Sequence, residues 1–158
     1  MLLLKGCSMY RFKTGYTVAD AMTTEPVLIA PHKSLRDAAK LMAKEHVGAL
    51  LVGEGKSVVG ILTEQDIVRK GVAAAGNPAA RKISQVMERG LIQTSPDEDI
   101  FEALRIMRDE NIRHLPVMHE GKFVGLVTLK DILKIEPDLY EILAEKINVR
   151  EEERKPLR

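Results

Sequence analysis

Apolar residues recur at positions 35, 38, 39 and 42, and again at 100, 103, 104 and 107. This i, i+3, i+4, i+7 spacing lays one apolar stripe along a helix. It predicts core-facing helices in SLRDAAKLMAKEH and in DIFEALRIMRDEN. Ser34 with Asp37, and Asp99 with Glu102, stand where N-terminal capping pairs belong. After each helix comes an apolar run, GALLVG or HLPVM, which predicts a buried strand. The turns GEGKS and HEGK lead into SVVGILT and KFVGLVT, so each pair of runs predicts a hairpin. PVLIA (26–30) and GLIQT (90–94) predict short extended segments ahead of the helices, and a further helix opens at Thr63 and at Thr128. Each unit therefore reads β-α-β-β-α.

The two units are one unit written twice. Shifted by 65 positions, the chain overlays itself without a gap: Met22 on Met87, Pro31 on Pro96, Met42 on Met107, Leu50 on Leu115. The nine residues GILTEQDIV fall on GLVTLKDIL, so Gly60, Thr63 and Asp66 meet Gly125, Thr128 and Asp131. A full-length repeat decides the architecture before any local detail. The expected fold is α+β, two repeats packed about a pseudo-two-fold axis. The expected division is a lead-in over 1–17, a first repeat over 18–68, a linker over 69–82, a second repeat over 83–133, and a helix with a charged tail over 134–158. The first part of the linker continues a helix and AGNPAA breaks it. Leu139, Ile142, Leu143 and Ile147 share one side of an amphipathic helix over 137–149.

Composition narrows the function classes. At 158 residues the chain can bury a core without staples. The formal charge is +1 and aromatics are 4% of residues, with no Trp. No global field draws the protein to nucleic acid or to an anionic membrane, and no aromatic platform suits single-stranded bases. The single cysteine, Cys7, forms no intramolecular disulfide, and no zinc-ligand spacing is present, which fits the cytosol. The opening MLLLKGCSMY is far short of a membrane span or a secretory core, and a start at Met9 would make it a leader.

The repeated stretch has two readings. In the structural one, Thr63 and Thr128 are helix N-caps, and Asp66 and Asp131 lie at N3 beside the positive end of the helix. Gly60 and Gly125 then admit a close neighbour. In the functional one, a helix start suits a phosphate. A Thr hydroxyl reaches phosphate or sugar, and an Asp carboxylate accepts from the two vicinal hydroxyls of a ribose. Two copies in register strengthen the second reading without removing the first.

These residues carry a resemblance. VADAMTTEPVLIAPHKSLRDAAKLMAKEHVGALLVGEGKSVVGILTEQDIV and ISQVMERGLIQTSPDEDIFEALRIMRDENIRHLPVMHEGKFVGLVTLKDIL resemble a tandem pair of cystathionine-β-synthase (CBS) domains, a Bateman module, over roughly 18–133. The resemblance implies adenosine ligands, such as AMP, ADP, ATP or S-adenosylmethionine, in two clefts that each mix residues of both repeats. Asp66 and Asp131 would hold ribose hydroxyls, with Thr63 and Thr128 near ribose or phosphate. Val27 and Ile92, with Val47 and Ile112, would sandwich the adenine, and Ile61 and Leu126 would line the clefts. Arg113 and His114 would meet phosphate, aided by Lys130; the alternative is an exposed Arg and a half-buried His on a strand edge. Gly48 and Ala49 replace the basic pair in the first repeat, so one cleft is expected to prefer phosphorylated ligands. The resemblance also implies a homodimer formed through helices.

No nucleophile–base constellation or phosphate loop is visible, so the expected protein is not an enzyme and needs no metal. His32 and His46 read as surface or helix-end residues, His119 as a turn residue with no catalytic role, Met42 and Met107 as core, and Met22 and Met87 as core or ligand-facing. Lys, Arg and Glu of the first helices read as solvated. The main expectation is a regulatory sensor of adenosine nucleotides. The rivals are a ligand-free homodimerisation and interaction module regulating an enzyme or transporter, and a nucleic-acid-associated regulator; the near-zero charge argues against direct nucleic-acid binding.

Overall fold

The computed structural model describes residues 13–55, 57–139 and 141. The expected leader, Cys7 and most of the helix over 137–149 lie outside the described residues, although Leu139 is buried against the second core.

The first repeat is built as α1 (Val18–Ala21), β1 (Leu28–Ile29), α2 (Leu35–Glu45), β2 (Ala49–Glu54), β3 (Ser57–Thr63) and α3 (Glu64–Asp66), which runs on as a π-helical turn over Ile67–Val72. A 3-10 turn (Ile83–Gln85) leads into α4 (Ile100–Glu110), β4 (His114–His119), β5 (Lys122–Thr128) and α5 (Leu129–Ile135). β2 and β3 pair antiparallel and β1 joins β2 in parallel. β4 and β5 pair antiparallel, with one bulge between Val117 and Met118 that matches the bulge between Val52 and Gly53. The expected strand at 90–94 reduces to a single parallel bridge, Thr94 with Val117, in the register of Ile29 with Val52. Its outer residues stay exposed, so little apolar burial holds them to the sheet. The HEGK turn closes β4–β5 with Glu120 and Gly121 both at positive φ, 49° and 72°. Two left-handed residues in a row fit the twist of a tight hairpin.

α4 buries the whole stripe its spacing predicts, Ile100, Ala103, Leu104 and Met107, while α2 buries Leu35, Ala38 and Met42 but leaves the predicted Ala39 exposed. Ser34 and Asp37 form a full capping box, and the Ser34 hydroxyl holds the Asp37 carboxyl below the usual carboxylate range. Asp99 and Glu102 do not. Asp99 caps α4 through the Phe101 N–H, and its carboxylate also accepts from Thr14 and Gly15. Glu102 turns instead to Arg105 and is largely buried, a correction to its reading as a cap and a solvated residue. The lead-in occupies Asp99 with donors the helix pattern does not show.

The cores are exchanged between the repeats. Val18 of the first lead-in is buried in the cluster of Ile100, Leu104, Leu115, Val127 and Ile132. Ile83, Val86 and Met87 of the second lead-in are buried in the cluster of Leu35, Met42, Leu50, Val52 and Leu62. Backbone bonds fix each crossing. Thr23 and Leu126 exchange N–H···O bonds of 2.8 and 2.9 Å, and Glu88 and Ile61 exchange bonds of 2.9 and 3.0 Å. Thr17 bridges Asp99 as Lys82 bridges Ser34. Every such pair maps on the other by the 65-residue offset, the signature of a pseudo-two-fold axis.

Candidate functional site

The repeated stretch lies where the lead-ins cross. A Cβ on Gly125 would stand 2.8 Å from Met22 Sδ and 2.9 Å from the Thr23 carbonyl. On Gly60 it would stand 2.8 Å from Met87 Sδ and 2.7 Å from the Glu88 carbonyl. Both glycines are therefore required by the close backbone of the other repeat's lead-in. Met87 is core, and Met22 packs against the second core.

Thr63 and Thr128 cap α3 and α5. The Thr63 N–H and hydroxyl both donate to Asp66 Oδ2, at 3.0 and 2.8 Å, and the Asp66 N–H donates back at 3.2 Å. Thr128 and Asp131 repeat this at 3.0, 2.7 and 3.2 Å. The structural reading of Thr-x-x-Asp thus holds in both copies, and it consumes one carboxylate oxygen in each. The functional reading rests on the other oxygen, where the copies differ. Asp66 Oδ1 lies 2.9 Å from Lys70 Nζ. Asp131 Oδ1 meets no hydrogen-bond donor among the described residues.

Around the second copy, His114 is half-buried on β4, opposite Thr128 in the strand register, and Arg113 is exposed beside it. Burial first, and then the Arg113 charge, push the His114 imidazole below its ordinary pKa; Asp131 and Glu64 pull the other way. Glu64 belongs to the first repeat, so side chains of both repeats act on one imidazole. Glu64 also lies over Gly48, where an added Cβ would stand 3.1 Å from Oε2. Sequence reasoning passed over Glu64; its position one residue after a cap Thr, where the second repeat has Leu129, was the available signal.

The remaining predicted residues divide. Val27 and Val47 pack on the first core and Ile112 on the second. Ile61 and Leu126 lie at the bridges to Glu88 and Thr23. Ile92 and Lys130 are exposed and not drawn to these groups. A groove of about 510 Å³ is lined by Met42, Val47, Gly48, Glu64, Ile67 and Val68, and a hollow of about 400 Å³ by Tyr16, Asp97, Glu98 and Asp99 among others. Neither is lined by Thr63, Asp66, Thr128 or Asp131, although Glu64 between Thr63 and Asp66 lines the groove. Among the described residues no group of three His, Cys, Asp or Glu is placed to hold a metal ion, and no helix is long and apolar enough to cross a membrane.

Two exchanged repeats of this form, each ending in a capped Thr-x-x-Asp helix, define a paired-domain architecture. The CBS-domain family model matches residues 18–73 and again 83–138, so the chain belongs to the CBS-domain family and carries the domain twice. It is 33% identical to the CBS domain-containing protein YhcV of Bacillus subtilis over 116 residues, 73% of this chain and 82% of that one. A crystal structure of an uncharacterized conserved protein from Pyrococcus horikoshii aligns with TM-score 0.71 and 31% identity, covering 78% of this chain and 94% of that one. The CBS domain pair of protein MJ0100, in complex with 5′-methylthioadenosine and S-adenosyl-L-methionine, aligns with TM-score 0.67 and 29% identity, covering 75% and 94%.

Proposed function

We propose that this chain is a cytoplasmic, non-catalytic regulatory module that binds an adenosine nucleotide of the AMP, ADP or ATP type, or S-adenosylmethionine, where the two repeats meet. One observation carries the reading: among the described residues no donor meets Asp131 Oδ1 while Thr128 holds Oδ2, so a fixed carboxylate oxygen is left to accept from vicinal ribose hydroxyls. Arg113 supplies a cation just ahead of β4 for phosphate, and the MJ0100 domain pair is a relative with adenosine compounds bound. Binding would join groups of both repeats and so bias their arrangement, provided the ligand favours one arrangement over another. The test is calorimetric titration with AMP, ADP, ATP and S-adenosylmethionine, first of the unaltered chain and then of Asp131→Ala. Saturable binding that Asp131→Ala removes supports the reading; no binding to any of the four refutes it.

A second reading, an interaction module that pairs with its own copy or a regulated protein, has its own support. Val68 and Val72 are each 59% exposed, and Val68 lines the groove with Met42 and Val47. A dimer in sedimentation that ignores all four ligands would favour it.

A further inference from the structure

The first repeat carries a charge bridge with no counterpart in the second. Lys70, on the π-helical turn, donates to Asp66 Oδ1 at 2.9 Å and also pairs with Glu88 of the second lead-in. Asp66 is thereby saturated: Thr63 holds Oδ2 and Lys70 holds Oδ1, with the carboxylate side chain only 13% exposed. Shifted by 65 residues, Lys70 becomes Ile135 and Glu88 becomes Thr23, so both halves of the bridge are missing beside Asp131. Burial alone would lower the Lys70 ammonium's pKa, but the bonds to Glu88 and Asp66 and their charges outweigh it and hold it above its ordinary value. The lysine stays charged and paired at neutral pH.

The backbone supports the bridge. The turn over Ile67–Val72 is π-helical, whereas in the second repeat the matching Ile132–Ile135 lie in α5, which ends before Glu136. Gly71, within that turn, is buried, and an added Cβ there would stand 2.6 Å from Leu35 Cδ1. The turn lies close on α2, with Lys70 directed to Asp66 and Glu88. A ribose reaching Asp66 must first displace an ammonium from a mostly buried carboxylate, and stripping a partner from such a charge is costly.

We infer that the Lys70–Asp66–Glu88 bridge closes the first repeat's carboxylate to ligands, so that each chain binds one nucleotide, at Asp131. This rests on the nucleotide-binding reading above. The test is the stoichiometry of AMP by calorimetry. The unaltered chain should bind one AMP. Lys70→Ile with Glu88→Thr, which gives the first repeat the residues of the second, should bind two, and adding Asp66→Ala should return it to one. The Lys70 and Glu88 side chains are exposed, and circular dichroism of the double variant and of the single Lys70→Met variant checks that the fold is kept. Two AMP on the unaltered chain, or one on both Lys70 variants, overturns the inference while leaving nucleotide binding in place. Absence of binding to the unaltered chain by any of the four compounds refutes the nucleotide reading itself.

Discussion

Replacing Gly125 by Ala tests the crossing of the repeats directly. The new Cβ would stand 2.8 Å from Met22 Sδ and 2.9 Å from the Thr23 carbonyl oxygen. Comfortable separations are roughly 3.5–4.0 Å. The sulfur ends a flexible side chain and can yield. The carbonyl cannot yield alone, because it accepts the Leu126 N–H at 2.9 Å while the Thr23 N–H donates to Leu126 at 2.8 Å. Relief therefore strains or opens that pair of bonds. Overpacking costs about 1–3 kcal/mol, and each backbone bond contributes on the order of 1 kcal/mol. We expect a loss of about 2 kcal/mol, or about 4–8 °C in Tm for a chain of this size. Gly60→Ala should match it, with the Glu88 carbonyl at 2.7 Å. Gly90→Ala is the control, since a Cβ there meets nothing within 4 Å and its φ is not in the left-handed region. The assay is urea unfolding, read as a shift in midpoint at constant slope. If Gly125→Ala proves as harmless as Gly90→Ala, the close approach is not what holds the lead-in.

Three further outcomes are expected. Among the described residues Thr94 Oγ1 is buried without a hydrogen-bond partner, at the position where the first repeat has the core residue Ile29. Thr94→Val should raise stability by about 1 kcal/mol in thermal unfolding, because an unpaired buried hydroxyl is costly; a lowered Tm would count against this. Thr63→Ala and Thr128→Ala should each cost about 1 kcal/mol by denaturant midpoint, as lost N-caps do. His114 is held below its ordinary pKa of 6.5, so as pH falls the unfolded chain takes up this proton first. Its contribution is intact above about pH 6.5 and is lost on acidification below it, down through the lowered folded value. His114→Gln should flatten the unfolding midpoint in that window, and an unchanged slope would refute the assignment.

The 3.6-residue stripes, the apolar runs and the exact 65-residue offset carried both helices, both hairpins and the repeated caps, because these depend on neighbours in sequence. The Thr-x-x-Asp caps formed as spaced, each closing within three residues. Asp99 departed from its pattern because its partners, Thr14 and Gly15, lie more than eighty residues away in the chain. The strand expected at 90–94 shrank to one bridge because its exposed residues gain little by pairing. Which lead-in packs on which core was equally closed to the sequence. Val18 and Ile83 are apolar residues before a repeat in either topology, and only the tertiary arrangement places each in the other's core. The candidate site divides the same way. Asp66 and Asp131 share the same cap, with a Thr three residues before and an Ile directly after. What separates them is Lys70 one turn on and Glu88 on a distant segment, brought to one carboxylate by the crossing. Periodicity records which face of an element is buried; it cannot record which charges meet across the exchanged halves, because that distance is set by packing.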